Sequence, residues 1–357
     1  MSRKIQSRSL FTKKKSNDRG LKRWLGFVVV LLTLIYGGIF LFPVVPSTSN
    51  TEATSTYKVK INPQSGLSSI GNQLREQGLS VNSLVLQVGA RSLFVGSKLK
   101  PGTYLLPIGS SLGKVLLQIA RGDRVRESIA IIPGMNIWQL RSIIDAHPEL
   151  IHQTKGMTNK ALLQILNLSY PSDEGIFLPD TYIFDPDEPD LNIYRRASHA
   201  MQKQLTQTWD QKEANLPLKS TYELLILASI IEKETGRSSD RDMISAVFIN
   251  RLNMGMPLQT DPTVIYGIGP KFDGNLRKAD LRRDTPYNTY MHKGLPPTPI
   301  SMPSKESILA AAHPAKSNAL FFVAKGDGSS HFSQSLKEHE SAVDRYQRKM
   351  TTKSNAN

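Results

Sequence analysis

The 357-residue sequence contains no cysteine, so it forms no disulfide and offers no thiolate ligand to a metal. It has only seven histidines, and none of them stands in an HExxH or similar ligand spacing. These two absences argue against a zinc hydrolase, and we predict neither a metal nor a cofactor. Without cysteines, the sequence gives no indication of the redox compartment in which the protein works.

Charged residues are absent from residues 24–45, a stretch rich in Leu, Val and Phe. This stretch provides the roughly 20 residues that a helix needs to cross the hydrocarbon core of a membrane. The alternatives are a cleaved signal peptide and a buried core helix. A signal peptide normally has a shorter apolar region that ends at an A-x-A-like site, whereas no alanine lies between Trp24 and Thr51. The pattern therefore favours an uncleaved membrane anchor.

Positive charge is concentrated at the N-terminus. The net charge is +15, and residues 1–23 contain nine Lys or Arg against one acid, Asp18. Basic residues before the apolar stretch, with no charge after it until Glu52, predict a cytoplasmic N-terminus by the positive-inside rule. The remaining chain is then expected outside the cytoplasm. Because over half of the excess charge belongs to this tail, where it sets topology and attracts anionic lipid, we predict no nucleic-acid partner.

The rest of the sequence has the pattern of an α+β protein built from several segments. Small polar residues at 46–55 predict a flexible linker. A strand, two helices and a strand follow within about fifty residues, an arrangement that resembles a LysM-like sugar-binding module. A small packing domain without a ligand is the alternative. The predicted boundaries are 1–23 for a basic cytoplasmic tail, 24–45 for a transmembrane helix, 46–55 for the linker, 56–124 for the LysM-like α/β module, 125–350 for a larger mixed α+β domain and 351–357 for a C-terminal tail.

The most informative helix pattern covers residues 222–236, where Gly236 suits the position just after a helix. Burial and the negative end of the helix dipole both raise the pKa of a carboxyl group at Glu234, in the last turn. Such a carboxyl is protonated near neutral pH and can act as a general acid. The alternative is a surface glutamate that pairs with Lys233 or Arg237. Three apolar residues lie on the same helix face as this glutamate: Leu227, Ile230 and Ile231.

Two polar segments after this helix carry the other candidate site residues. Residues 258–269 place polar and aromatic groups around a predicted turn at Pro262, and residues 285–299 are too rich in Pro and Gly for a helix or a central strand. Tyrosine rings stack on sugar rings, while Asn and Thr bond hydroxyl and N-acetyl groups. Each residue has the alternative of bracing its loop. The candidate substrate-binding residues are Gln259, Thr260, Asp261, Tyr266, Tyr287, Asn288, Thr289 and Tyr290.

Six motifs follow one another in the order ASIIEKETG, FINRLNMGMPLQTDPTVIYGIG, YNTY, GLPPTPISMP, AAAHPAK and LFFVAKGDGSSHF. In that order they resemble the YceG/MltG family of endolytic murein transglycosylases, and with the anchor and the LysM-like module the resemblance covers nearly the whole chain. It makes residues 125–350 a YceG-like catalytic domain. It also implies that Glu234, the second glutamate of EKET, is the catalytic acid. Two similarities to other lytic transglycosylases support this choice, because Glu234 precedes the hydroxyl residue Thr235 and Tyr287-Asn288 resembles their Tyr-Asn motif.

The resemblance implies a lyase that cleaves the bond between N-acetylmuramic acid and N-acetylglucosamine in nascent peptidoglycan strands and so terminates glycan polymerisation. Glu234 would protonate the glycosidic oxygen and then accept the proton of the muramic acid 6-hydroxyl, whose attack leaves a 1,6-anhydro end. Attack within one sugar has a high effective molarity, so one carboxylate can serve in both steps.

The implied partners are glycan strands, the membrane through one helix, and peptidoglycan synthases. The expected location is the cytoplasmic (inner) membrane, crossed once, with the catalytic domain in the periplasm or another extracytoplasmic space. The alternative function is that of a non-catalytic, membrane-anchored peptidoglycan-binding protein, which would bind strands without cutting them.

Overall fold

A computed structural model of the chain describes residues 18–48 and 55–348. Residues 1–17 of the predicted tail, 49–54 of the predicted linker and 351–357 of the C-terminal tail lie outside the described residues. The chain divides into two compact units, one ending at Arg126 and one beginning at Glu127. Both units combine helices with short two-stranded sheets, so the predicted α+β class is confirmed.

The first helix, α1 (Asp18–Leu41), contains the apolar stretch that the sequence singles out. Within it, Lys22–Leu41 has a mean hydropathy of 2.3 and is long enough to cross a membrane by length and composition. The helix ends before the predicted limit at Val45. Val44 and Val45 are instead buried in the hydrophobic core of the first unit, and their backbone N–H groups bond the carbonyl of Ser110.

After α1, the first unit is a two-stranded antiparallel sheet covered by helices. The strands pair from Thr56 with Pro107 to Ile61 with Gly102, and the helices bury their apolar stripes against them. This strand–helix–helix–strand order agrees with the predicted element order, while the likeness to a LysM module stays a prediction. The elements are β1 (Thr56–Ile61), α2 (Leu67–Glu76), α3 (Ser83–Ser92), β2 (Gly102–Pro107) and α4 (Leu112–Arg121).

The second unit is built around one helix that is apolar on every side. This helix, α8 (Thr221–Glu234), buries every residue from Leu224 to Ile231. It packs against four other helices of the unit, as a helix without a polar face must. The elements in chain order are β3 (Glu127–Ile131), α5 (Ile137–Asp145), β4 (Leu150–Ile151), α6 (Asn159–Ile165), β5 (Asp180–Phe184), β6 (Glu188–Pro189), α7 (Asp190–Asp210), α8 (Thr221–Glu234), α9 (Arg241–Asn253), α10 (Asp261–Ile268), α11 (Lys305–Ala312), β7 (Phe321–Ala324), β8 (Ser330–Ser333) and α12 (Leu336–Val343).

Three short sheets complete this unit. Strands β3 and β5 pair antiparallel, β4 and β6 pair parallel, and β7 and β8 form an antiparallel hairpin. The hairpin and α12 pack together near the C-terminal end of the described chain. As predicted, residues 285–299 form neither helix nor strand.

Helix α8 ends at Glu234 and is capped by Thr235, which is extended with φ −144°, so Gly236 lies just after the helix, as predicted. One local prediction is wrong. Residues 258–269 were predicted as a proline turn, yet Asp261–Ile268 is helical and Pro262 lies in its first turn. Proline is accepted there because the first helical N–H groups have no partner within the helix.

Candidate active site

Glu234 is the last residue of helix α8 and lies at the surface of the second unit, whereas the middle of the helix is fully buried. Its N-terminus is capped by the Ser220 side chain, which accepts a hydrogen bond from the N–H of Glu223. The three residues predicted to share a face with Glu234 each have an exposed fraction of 0%. The helix is therefore held on all sides up to its last turn, and Glu234 has a fixed position. The three apolar residues are Leu227, Ile230 and Ile231.

The Glu234 carboxyl is half-buried and accepts a hydrogen bond from the Thr260 hydroxyl. Burial, which is the largest cause, and the nearby negative charge of Asp261 together raise the pKa of Glu234, which lies at about 7. The Thr260 hydrogen bond and the positive charge of Arg251 act in the opposite direction. The pKa therefore lies close to neutral pH, where the group can both give and take a proton.

The segment that carries Thr260 is fixed by a buried guanidinium. Arg251 is 7% exposed and donates hydrogen bonds to the carbonyls of Leu320 at 2.7 Å, Leu258 at 2.8 Å and Pro257 at 3.2 Å. Its Nη1 also lies 3.3 Å from the side-chain oxygen of Gln259. Arg251 thus joins α9 to the loop before α10 and to β7, on the side of the site that faces Glu234.

A cavity of about 620 Å³ lies beside Glu234. Its size falls in the range of small-molecule sites, and it is open to solvent rather than enclosed, as an elongated polymer requires. One wall contains Glu234, Gln259, Asp261 and Tyr290, and the Tyr290 hydroxyl donates to Asp261 Oδ1 at 2.6 Å. The other wall is formed by β7, by α12 and by a residue after α12. Its residues are Phe321, Phe322, Val323, Ala324, Leu336, His339, Val343 and Gln347.

The remaining predicted site residues lie behind this cavity or beside it. The Thr289 hydroxyl accepts from the Thr260 N–H at 3.1 Å, so it supports the Glu234 partner. The buried Asn288 amide donates to three carbonyls of residues 280–283 and accepts from the Tyr290 N–H. The Tyr287 hydroxyl lies 2.9 Å from the Thr298 hydroxyl, and its ring packs against Tyr266 with centroids 4.9 Å apart. These four side chains therefore brace the loops that carry the cavity wall.

Known proteins are similar to this chain over most of its length. The profile of the YceG-like family matches residues 59–345. The chain belongs to the YceG-like family. A Bacillus subtilis protein named endolytic murein transglycosylase is 31% identical over 88% of this chain and 91% of its own length.

Two further relatives and one solved structure agree. Two Streptococcus pneumoniae proteins with the same name are 27% identical over 89% of the chain; the match spans 64% of the length of these relatives. The crystal structure of a YceG-like protein from Listeria monocytogenes has a TM-score of 0.52 and 29% identity over 81% of this chain and 99% of its own. The predicted family resemblance is confirmed.

In this YceG-like chain, Glu232 has surroundings unlike those of Glu234. Its Oε2 accepts from the Ser304 N–H at 2.9 Å, the Ser304 hydroxyl at 2.5 Å and the Ser307 hydroxyl at 2.7 Å. These donors lie at the N-terminus of α11, where a carboxylate also meets the positive end of the helix dipole. Glu232 therefore joins α8 to α11 and leaves Glu234 to the cavity.

Sequence reasoning missed another titratable group, Glu174, which is fully buried. Its oxygens accept from the N–H groups of Ile137 at 3.0 Å and Gly175 at 3.1 Å, and Tyr266 bonds it as well. Burial nevertheless raises the pKa of Glu174 to about 8. The only sequence signal was an acid inside the aromatic, turn-rich segment 174–184, which does not indicate a partner at the start of α5.

Sequence reasoning also missed the far wall of the cavity. Arg251 belongs to the second of the six family motifs, but its charge gives no sign that it lies over the Phe321 ring, 5.1 Å from the centroid. His339 stacks on the same ring with centroids 5.2 Å apart, and burial lowers the pKa of its imidazole. No local pattern connects α12 with the loop before α10.

A group of metal-ligand type occurs elsewhere in the second unit. Asp145, His152 and Asp190 bring ligand-type atoms within 4.8 Å of one another. Both oxygens of Asp190, however, accept hydrogen bonds from Thr154, whose hydroxyl donates at 2.7 Å, and Oδ1 also accepts from the Gln153 N–H. Asp190 thereby ties the segment after β4 to the first turn of α7.

Proposed function

We propose that the protein is an endolytic murein transglycosylase that cuts the bond between N-acetylmuramic acid and N-acetylglucosamine within nascent glycan strands. Its products carry 1,6-anhydro-N-acetylmuramic acid ends, and its cuts terminate glycan polymerisation. The proposal rests on one observation: the Glu234 carboxyl has a pKa near 7 and lines an open cavity of about 620 Å³. The name of the B. subtilis relative supports the same class of enzyme.

The chemistry needs one group that first gives and then takes a proton. Protonated Glu234 donates to the glycosidic oxygen as the bond from C1 to that oxygen breaks. The resulting carboxylate accepts the proton of the 6-hydroxyl as the oxygen of that hydroxyl bonds C1. Atoms balance without water, and Glu234 ends protonated as it began. A pKa near the working pH suits both steps, and attack within one sugar ring supplies a high effective molarity.

The neighbours of Glu234 fit this double role. The Thr260 hydroxyl donates to its carboxylate, and the positive charge of Arg251 favours the ionised form. The negative charge of Asp261 favours the protonated form. Gln259, Asp261 and Tyr290 line the same cavity and are the proposed substrate contacts, while Thr260, Tyr266, Tyr287, Asn288 and Thr289 support them.

Helix α1 is the proposed membrane anchor. Its apolar segment is long enough for one crossing, and the basic tail before it places the N-terminus in the cytoplasm. The residues after α1 then lie on the outer side of the cytoplasmic membrane, where peptidoglycan is assembled. A LysM-like first unit would hold the strand, and peptidoglycan synthases at the same membrane are the proposed protein partners.

Product analysis on purified glycan strands tests the proposal. Wild-type protein should release fragments with anhydro ends, which mass spectrometry identifies by the loss of one water relative to hydrolysis. Glu234→Gln should release them about 10²–10⁴-fold more slowly, while Glu223→Gln should retain activity because it makes the same chemical change in the first turn of the same helix. Strand binding by wild type without any cleavage would support the non-catalytic binding protein instead.

A further inference from the structure

Within the first unit, helices that follow α1 pack directly on its C-terminal end. Val44 and Val45 belong to its hydrophobic core, and Ser80 donates its N–H to the Val44 carbonyl at 2.8 Å. The last turns of α1 also pack on α3 and α4. At Gly113 of α4, a side chain would meet the Phe40 ring at 2.6 Å. The unit therefore keeps a fixed distance from the apolar segment of α1.

The contacts between α1 and α3 fix how close α3 comes to the membrane. The Tyr36 hydroxyl donates to the carbonyl of Ser92, the last residue of α3, at 2.6 Å. Tyr36 precedes the end of the apolar segment at Leu41 by about 7 Å at the helical rise per residue. Tyrosine is also a residue of the membrane–water interface. The C-terminal end of α3 thus lies at the depth of that interface.

The outer face of α3 exposes large apolar side chains. The exposed fractions are 70% for Leu84, 53% for Val85, 47% for Val88 and 84% for Phe94 just after the helix. A soluble surface rarely groups such residues without a binding role. We call Leu84, Val85, Val88 and Phe94 the α3 apolar face.

Phe94 is the most unusual member of the α3 apolar face. The N–H of Phe94 bonds the Arg91 carbonyl and the N–H of Val95 bonds the Ala90 carbonyl, which is the Schellman arrangement at a helix end. Phe94 occupies its left-handed position, with φ 56°. The same position after α2, α6 and α9 holds Gly78, Asn167 and Gly255. A bulky side chain is costly there, and one that is 84% exposed gains nothing from packing within the unit.

We propose that the α3 apolar face inserts into the bilayer interface next to α1, so that the first unit rests on the membrane surface. The proposal rests on the membrane anchor proposed above and adds a second point of contact. Exposed Arg91 and Lys98 flank this face and add attraction to lipid phosphates.

The absence of cysteine allows a direct test in the full-length chain. Single variants Leu31→Cys, Val88→Cys, Phe94→Cys and Asp123→Cys are labelled with an environment-sensitive fluorophore. The protein is placed in vesicles of phosphatidylglycerol and phosphatidylcholine in about equal parts, some lipids carrying a nitroxide at the headgroup or along the chain. Asp123 is an exposed residue beyond the far end of α4 and serves as the matched control.

Headgroup nitroxide should quench the labels at 88 and 94 at least about twofold more than the label at 123, as expected for insertion to the acyl boundary. Equal quenching at 88, 94 and 123 would overturn the inference if chain nitroxide still quenches the label at 31. An unquenched label at 31 would show instead that the anchor is wrong. A blue-shifted but unquenched label at 94 would also contradict the inference, because it indicates burial against another protein copy.

A fold control separates membrane contact from stability. Phe94→Gly should leave the Tm unchanged or raise it, because glycine is relaxed at the left-handed position. In the same variant, the fluorescence of a label at 88 should lose much of its dependence on headgroup nitroxide. A lower Tm in Phe94→Gly would assign Phe94 to the fold and would contradict the membrane role.

Discussion

The last turn of α8 carries two glutamates, two residues apart, in opposite surroundings. Glu232 faces the start of α11 and accepts three hydrogen bonds from Ser304 and Ser307. Glu234 faces the cavity, has one donor in Thr260 and has its pKa raised to about 7. The same side chain on the same helix thus joins α8 to α11 at one position and lines the cavity at the other. Burial is the largest cause of the raised pKa of Glu234, and the hydrogen bond from Thr260 acts against it.

Glu234→Gln tests the cavity side of this comparison and has the largest expected effect. Losing the acid and base should lower kcat by about 10²–10⁴-fold, the usual contribution of a positioned proton donor. The neutral amide still accepts from Thr260, so the Tm should stay within a few degrees of wild type. Steady-state kinetics and thermal unfolding measure the two effects. A large drop in Tm with residual activity would make Glu234 part of the fold rather than of the chemistry.

Glu232→Ala tests the other side. The change leaves the Ser304 N–H and two hydroxyls near the α11 start without their acceptor, so the free energy of unfolding should fall by about 2–4 kcal/mol. Activity per folded molecule should be retained. Urea unfolding gives the first value, and product release by the folded fraction gives the second. Loss of activity without loss of stability would contradict the assignment of roles.

The choice of Glu234 over Glu232 followed from the family motifs, and helical spacing supported it because Leu227, Ile230 and Ile231 share the face of Glu234. The sequence also predicted that Glu234 lies in the last turn of α8 with Gly236 just after the helix, and both agree with the structure. Helix α10 was missed because Pro262 was interpreted as a turn residue when it stands in a first helical turn.

Local sequence patterns did not predict contacts between residues that are far apart in the sequence. Periodicity places a residue on one face of its own helix but does not say which distant segment covers that face. The Arg251 contacts with Leu258 and Leu320 and the Glu174 contact with the start of α5 are of this kind. The family motifs point to Glu234 as the proton donor, whereas no motif predicts the second wall of the cavity.

The pH dependence of cleavage sharpens the comparison further. Glu234 must be protonated to donate, and its pKa is about 7, so kcat/KM should fall about tenfold per pH unit above that value. Asp261→Asn removes a negative charge that raises this pKa, so the falling limb should begin at lower pH. Asp284→Asn is the control, since Asp284 pairs with His292 at the surface. If kcat/KM began to fall at the same pH in Asp261→Asn, the charge of Asp261 would not affect the pKa of Glu234.

Glu174 extends the comparison to a carboxyl that has donors and yet is fully buried. Its pKa rises from an ordinary 4.5 to about 8 in the folded protein, so folding binds a proton between these values. The stabilising contribution is complete below about pH 4.5 and is lost as pH rises through about 8, with a slope of at most about 1.4 kcal/mol per pH unit.

Glu174→Gln should remove that slope because the amide stays neutral at every pH. The variant should therefore gain stability relative to its parent as the pH rises from 5 toward 8, which urea unfolding at about five pH values would measure. The comparison belongs in the Glu234→Gln background, since Glu234 has a raised pKa of the same sign. Parallel stability curves would show that the backbone donors of Ile137 and Gly175 keep Glu174 ionised and outweigh the effect of its burial.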